Sequence, residues 1–455
     1  MKPFNAVRSF TVFGQKTESD AVIETVYTDS RLKVKNGLFI ALEGEKFDGH
    51  DFVSKAEENG AVVLMCSKEV ETDLPVIRVD DTRKGLMKLA KSYRSDFDIP
   101  VVGITGSAGK TTTKEMTALC LSAAFNVVKT RGNLNNDIGM PLTLFDIDDS
   151  TGAAVVEMGM NHLGEISRLT RTLCPTVGII TNIGTAHIEN LGSRENILKA
   201  KMEILEGMSK GSALILNGDD DLLRDVKNPD YDIKYFSVNN SDAFVYAENI
   251  EHDGLSTVFT AVHGNASATV KLPAIGIHNI YNALAAICAG IVLGIDLDDC
   301  AGALGDYVPS GMRQKIVNRN DITFIEDCYN ANPDSVRAAI LSLSQIDGKR
   351  KIAVLGDMLE LGAFSRDAHF DSGTFLASQG ADALFTLGEM SLETANGAKN
   401  GEMKEVFSFK SNSELACALL SYIKPGDVVL FKASRGIKLE ETIKEVYDKL
   451  EKGAS

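Results

Sequence analysis

Five residues suited to a buried strand, Val101-Val102-Gly103-Ile104-Thr105, lead straight into Gly106-Ser107-Ala108-Gly109-Lys110-Thr111-Thr112. Helical spacing follows, with Met116, Leu119, Cys120 and Ala123 as an apolar stripe. Strand, small-residue turn and helix in this order make a cradle for phosphate. Small residues let several backbone N–H groups face one anion. Lys110 adds a positive charge, and Thr111 offers a hydroxyl to Mg²⁺. The helix then points the positive end of its dipole at the anion. The strict eight-residue form of this loop has glycine where this chain has Ile104, so the match is to a shortened form.

Such a loop belongs at the carboxyl edge of a parallel sheet, and the surrounding sequence agrees. Ala153–Glu157, Val177–Thr181 and Ala213–Leu216 are further apolar strand runs, separated by helical stretches. The alternation predicts an α/β fold with a central, doubly wound, mostly parallel sheet. Residues 232–273 hold shorter strand-like pieces such as Ser256–Thr260, which predict an antiparallel extension. His278–Leu293 returns to a helix rich in Ala, Ile and Leu.

At 455 residues the chain exceeds one ordinary domain. Residues 1–96 read as a small α/β unit, with strands Gly37–Leu42 and Ala61–Met65. Residues 97–310 form the central unit around the phosphate loop. Residues 311–455 form a Rossmann-like third unit with strands at Thr323–Glu326, Lys351–Leu355, Ala383–Thr386 and Asp427–Phe431. There Asn332-Pro333 reads as an N-cap followed by proline in the first turn.

Composition narrows the partners. A net charge of −16 speaks against broad capture of nucleic acid, yet leaves local phosphate sites open. No apolar run is long enough for a membrane span. The first residues lack the apolar core of a signal peptide. The seven cysteines are scattered singly, as free thiols in a reducing compartment would be. A cytoplasmic protein is expected.

Four residues beyond the loop carry potential chemistry. Glu157 ends an apolar strand, where a parallel sheet displays side chains beside the nucleotide loop, and a carboxylate suits a hard cation. His187 lies in Gly184–Glu189, just past the next strand; from the residue alone a structural histidine is the commoner outcome. Lys199 and Lys201 sit on a predicted helix, Arg194–Met208, whose bland reading is a solvated face.

Taken together the motifs are specific. Thr28-Asp29-Ser30-Arg31, Leu38–Gly44 and Phe47-Asp48-Gly49-His50 lie in the first unit. Gly106–Thr112, Gly132–Gly139, Glu157–Ile166, His187, Lys199-Ala200-Lys201 and His278–Ala283 lie in the second. Gly311-Met312-Arg313, Asp327–Pro333, Gly356–Gly362 and Lys432-Ala433-Ser434-Arg435 lie in the third. In this order and spacing the chain resembles the Mur ligases, ATP-dependent amide ligases of peptidoglycan synthesis, over essentially its whole length. The asparagine-rich stretch and the Gly-Asp-Met-Leu-Glu-Leu-Gly stretch resemble the branch that adds D-alanyl-D-alanine. One departure is Gly311-Met312-Arg313, where the family often has Pro-Gly-Arg.

The resemblance implies roles. Ser30 and Arg31 would hold the UDP portion of a UDP-N-acetylmuramoyl-tripeptide. Gly106, Ser107, Ala108, Gly109, Lys110, Thr111 and Thr112 would bind ATP. Asn279 and Asn282 would meet adenine, and Arg313, Asp327 and Tyr329 would close over the nucleotide. Thr111 and Glu157 would hold one Mg²⁺, with His187 and a carbamylated Lys201 at a second. The catalytic set is Lys110, Glu157, His187 and Lys201. Asn136, Asn161 and Glu165 would contact the muramoyl-peptide, and Ser434 and Arg435 the incoming D-alanyl-D-alanine. A monomer is expected. Two alternatives stay open on this reading: another amide ligase of the superfamily, such as a different Mur ligase or a folylpolyglutamate synthetase, and a nucleotide-driven switch without ligation.

Overall fold

Val101–Thr105 is buried at every position and pairs in parallel with Ala153–Glu157 on one side and Val177–Ile180 on the other. Strands covered on both faces read as unbroken apolar runs, which is why these were legible. Ile104 is fully buried within this strand. The shortened loop therefore begins only after the sheet ends.

In the computed structural model, which describes residues 1–453, this strand belongs to a nine-stranded sheet. Its order is Val127–Lys129, Ala153–Glu157, Val101–Thr105, Val177–Ile180, Ala213–Asn217, Asp232–Ser237, Val245–Asp253, Ser256–His263 and Ala266–Leu272. The chain leaves the central strand toward one edge, then crosses back to build the other. That reversal opens a crevice at the carboxyl ends, where doubly wound sheets bind ligands.

The antiparallel extension is shorter than predicted. Asp232–Ser237 pairs in parallel with Ala213–Asn217, and Val245 and Tyr246 continue in parallel beside Phe236 and Ser237. Residues 238–244 step sideways without reversing the chain. Only Val245–Asp253, Ser256–His263 and Ala266–Leu272 form the antiparallel ladder.

A six-stranded sheet runs Lys315–Arg319, Ile322–Glu326, Asp427–Lys432, Arg350–Gly356, Ala383–Leu387 and Glu405–Phe409. Its inner four strands match the predicted ones. Both edge strands escaped prediction because each is only partly covered and carries charged residues at exposed positions. Helix Pro333–Gln345 starts as predicted, with Asn332 and Ser335 in a reciprocal capping box.

The first unit holds a four-stranded parallel sheet, Thr25–Tyr27, Gly37–Ile40, Ala61–Cys66 and Val76–Arg78, and a short antiparallel pair. Helix Thr82–Arg94 docks it onto the central unit. There Tyr93 packs among Phe4, Phe97 and Phe145 and donates its hydroxyl to Ile147 O. Buried Tyr side chains need such a partner, and this one ties the two units at their seam.

One predicted helix is corrected. Arg194–Met202 is α-helical, and Glu203–Gly207 tightens into a 3₁₀ turn. The turn lets the Glu203 carboxylate accept the N–H groups of Gly164 and Ser167, at 2.7 and 3.0 Å. No helix among the described residues is long and apolar enough to cross a membrane. All seven cysteines are free; Cys174 and Cys417 are exposed and the rest buried.

Candidate active site

The phosphate loop is fixed from behind. Gly106 has φ +153, and a Cβ there would lie 1.8 Å from Thr181 Oγ1. Gly109 has φ +81, and its Cβ would lie 2.5 Å from Asn282 Oδ1. Only glycine fits both places. Thr181 and Asn182 side chains both donate to Ala108 O, and Asn182 Oδ1 accepts Ala108 N–H. Among the described residues no side chain caps the helix Lys110–Ser122, so its first-turn N–H groups keep their capacity for an anion. Lys110 Nζ folds back to Gly106 O at 2.8 Å. Burial and the Arg313 charge hold its amine below the ordinary lysine range, against the pull of Glu157.

Glu157 is 2% exposed, and a bare carboxylate so buried would cost several kcal/mol. Both oxygens are engaged. Thr111 Oγ1 donates to one at 2.8 Å and Asn135 Nδ2 to the other at 2.7 Å. Thr111 and Glu157, predicted as a pair from separate motifs, thus meet directly. Asn135 was quoted within the asparagine-rich stretch but given no role. Its position between two loop residues carried no signal of its own.

These groups open onto a cleft of about 780 Å³ between the central and third units. Its walls include Ser107–Thr112, Glu157 and His187 from the central unit, and Arg313, Asp327 and Tyr329 from the third. Asn136, Asn161 and Glu165 line the same cleft. Asn161 N–H donates to Glu165 at 2.7 Å, and Asn136 Oδ1 caps the turn at Ile138 and Gly139. Asn279 and Asn282 are buried in the wall; Asn282 accepts from Thr113 at 3.1 Å, and Asn279 donates to Gln314 at 2.8 Å. His278 also lines the cleft, and burial holds its imidazole down to about 4.

The third unit presents a charged rim. Asp327 pairs with Lys432 at 2.9 Å, and Lys432 also donates to Asn330 O. Burial outweighs that cation, so the Asp327 carboxyl sits above its ordinary value. Lys432 was missed because a lysine ending an apolar strand reads as a solvated edge. The Arg313 guanidinium lies 3.7 Å from the centre of the Tyr329 ring, and Arg435 stands 5.8 Å from the same ring. Such stacking fixes both aromatic and cation.

Two contacts join the third unit to the loop beyond Thr181. Asp334 accepts Thr185 N–H at 3.0 Å, and Glu360 reaches His187 Nδ1 at 2.6 Å. His187 therefore faces a carboxylate of the other unit.

Lys201 does not join the cleft wall. It is 1% exposed, contrary to a solvated helix face. Burial and the nearby Lys110 charge hold its amine well below the ordinary lysine range. Ser434 is also behind the wall, accepting Leu359 N–H and donating to Ala331 O. Arg435 is largely exposed and paired with Glu440. Ser30 and Arg31 lie apart in the first unit; Arg31 is 85% exposed and bound to Asp29. Among the described residues, no group of three or more His, Cys, Asp or Glu side chains forms a metal cage. Oxygen donors from Thr111 and Glu157 alone fit Mg²⁺, which keeps several waters and substrate phosphates as ligands.

Three family profiles match in order: "Mur ligase family, catalytic domain" over residues 22–94, "Mur ligase middle domain" over 104–290, and "Mur ligase, glutamate ligase domain" over 312–435. The UDP-N-acetylmuramoyl-tripeptide–D-alanyl-D-alanine ligase of Bacillus subtilis (strain 168) is 39% identical over 433 residues, covering 94% of each chain. A crystal structure of MurF from Acinetobacter baumannii superposes with a TM-score of 0.91 at 32% identity, over 98% of this chain and 99% of that one. MurF ligase from Thermotoga maritima, solved in complex with ADP, superposes with a TM-score of 0.85 at 28% identity, over 94% and 98%. With three family profiles matched in order along the chain and a 39% identical relative covered over 94% of each chain, the chain belongs to the Mur ligase family.

Proposed function

We infer that this protein joins D-alanyl-D-alanine to UDP-N-acetylmuramoyl-tripeptide at the expense of ATP, a step of peptidoglycan precursor synthesis. The observation that carries this reading is the cleft itself: a phosphate loop on one wall faces cations and an aromatic ring of the third unit on the other. Likeness to a D-alanyl-D-alanine-adding ligase along 94% of both chains supports the choice of substrates.

The chemistry needs no nucleophilic side chain. The tripeptide's terminal carboxylate attacks the γ-phosphorus of ATP, ADP leaves, and an acyl phosphate forms. The neutral amine of D-alanyl-D-alanine then attacks that carbonyl, gives up one proton to solvent, and inorganic phosphate departs with the bonding electrons. The protein's share is positioning and charge neutralisation. On this reading Lys110 and the loop amides of Gly106–Thr112 hold the phosphates. Asn279 and Asn282 frame the adenine, and Arg313, Asp327 and Tyr329 cover the nucleotide. Thr111 and Glu157 would hold Mg²⁺, which supplies charge neutralisation at the phosphates. His187 and Lys201 would serve a second ion, with Lys201 carbamylated; carbon dioxide reacts with the neutral amine, the form that burial favours. Asn136, Asn161 and Glu165 face the muramoyl-peptide. Ser30 and Arg31 hold the UDP end, and Ser434 and Arg435 border the dipeptide.

The work divides among residues 1–96 for UDP, 97–310 for ATP and 311–455 for closure and acceptor. The free thiols support a cytoplasmic setting. The test is phosphate release with UDP-muramoyl-tripeptide plus D-alanyl-D-alanine, against free amino acids and folates as acceptors. Release should require both ATP and the dipeptide. Running it with lysine and with diaminopimelate at the third peptide position sets the preferred tripeptide. Release without acceptor preference would overturn the reading.

A further inference from the structure

Lys114 is fully buried, on the same helix as the phosphate loop and one turn beyond Thr111. No role in binding or phosphoryl transfer uses it. Lysine is almost never fully buried without a compensating partner. Its partners are Thr130 O at 2.7 Å and the Glu115 carboxylate at 2.9 Å. Glu115 also binds Lys129. Burial alone would raise the Glu115 carboxyl, but Lys129 and Lys114 together hold it below its ordinary value.

Thr130 is the informative partner. It is 1% exposed, and its hydroxyl accepts the backbone N–H of Glu157 at 2.9 Å. Its own N–H donates to Val155 O, so it is clamped to the strand that ends in Glu157. Five residues further on, Asn135 donates to the Glu157 carboxylate. The phosphate-loop helix therefore reaches Glu157 twice. Thr111 touches its carboxylate directly, and Lys114 reaches its main chain through Thr130.

We propose that Lys114 and Thr130 are positioning residues that set Glu157 against the phosphate loop. A strand end and a helix start are otherwise joined at this point by one side-chain hydrogen bond, Thr111 to Glu157. Thr111 and Asn135 hold only the carboxylate end of the side chain. A second tether to the main chain fixes both the origin and the direction of the side chain. The lysine is long enough to cross the buried gap, and its Glu115 partner offsets its charge without exposing it to water. The proposal rests on the reading of Glu157 as a Mg²⁺ ligand for ATP.

The experiment compares Lys114→Met, Thr130→Val and Thr130→Ser in the full-length protein. Methionine keeps length and flexibility but removes the donor. Valine keeps the shape of threonine and removes the acceptor for Glu157, while serine retains it. Phosphate release, thermal unfolding, Mn²⁺ affinity of the ADP-loaded protein by electron paramagnetic resonance, and amide exchange at Glu157 are measured on each. In Lys114→Met and Thr130→Val, kcat should fall about tenfold to a hundredfold, the range a slight misplacement produces. Mn²⁺ affinity should fall with it, exchange at Glu157 should speed up, and KM for the tripeptide should hold. Thr130→Ser should behave as wild type.

The double variant should lose little more than either single one, because both break the same link. A folded Lys114→Met with unchanged Mn²⁺ affinity overturns the proposal, whether or not its melting point has dropped. Where Lys114→Met fails to fold, Thr130→Val decides: wild-type Mn²⁺ affinity and Glu157 exchange overturn it equally. Absence of acceptor-dependent release in the wild-type protein would instead sink the ligase reading. Active wild type with unaffected variants sinks only this inference.

Discussion

The two ends of the substrate path are built to different standards. At the nucleotide end, Glu157 is buried and held on both oxygens, the loop glycines fit spaces with no room for a Cβ, and Asp327 is locked to Lys432. At the proposed UDP end, Arg31 stands 85% exposed and, among the described residues, its one ion pair is with Asp29, two residues away. The first arrangement is preorganised, so on the proposed function its residues would be set before substrate arrives. The second holds its charge in water. Differences of this kind decide whether a substitution lowers kcat or raises KM.

The largest test of this contrast is Lys110→Ala. It should lower acceptor-dependent phosphate release by about 10³-fold, as loss of a cation on the transferring phosphoryl group does. Near-normal turnover would break the assignment of the loop. Glu157→Gln should come next, with kcat down about 10²-fold and KM for the tripeptide little changed. A change confined to KM would erase the distinction between the two ends.

Arg31→Ala should act the other way. KM for the UDP-linked substrate should rise about tenfold while kcat and KM for ATP hold, since a solvated charge contributes binding alone. The smallest effect concerns stability. Burial holds His278 at about 4 against 6.5 in the unfolded chain. Between those values the unfolded chain takes up a proton that the fold refuses, so stability falls as pH falls through this window and is level above it. His278→Gln should remove about 1 kcal/mol of that loss, the open cleft trimming the full effect. Thermal unfolding at about pH 7 and about pH 5 reads it directly.

The same contrast governs what could be read beforehand. Val101–Thr105, the loop and Glu157 were legible because a central parallel strand is apolar throughout and its end is where a site must lie. The Rossmann-like sheet was legible in its four inner strands and not at Lys315–Arg319 or Glu405–Phe409, where one face meets water and the pattern weakens. Lys201 read as solvated because side-chain chemistry predicts exposure; only the packing of distant elements buries it, and Lys114 with it. Asn135 and Lys432 could be named within motifs, but their partners, Glu157 and Asp327, lie 22 and 105 residues away, beyond any local pattern. Asp232–Ser237 fell inside the predicted antiparallel extension because the strand-like pieces from 232 to 273 are short; it pairs in parallel on both sides instead.

Of the seven free thiols only two are exposed, Cys174 after the helix Glu165–Leu173 and Cys417 within the helix Asn412–Tyr422. One lies in the central sheet's unit and the other in the third. Nature has thus left one dye-attachment point on each jaw of the cleft. A donor and an acceptor fluorophore coupled there would turn the unaltered chain into a molecular ruler, reporting jaw separation one molecule at a time as nucleotide and acceptor are added.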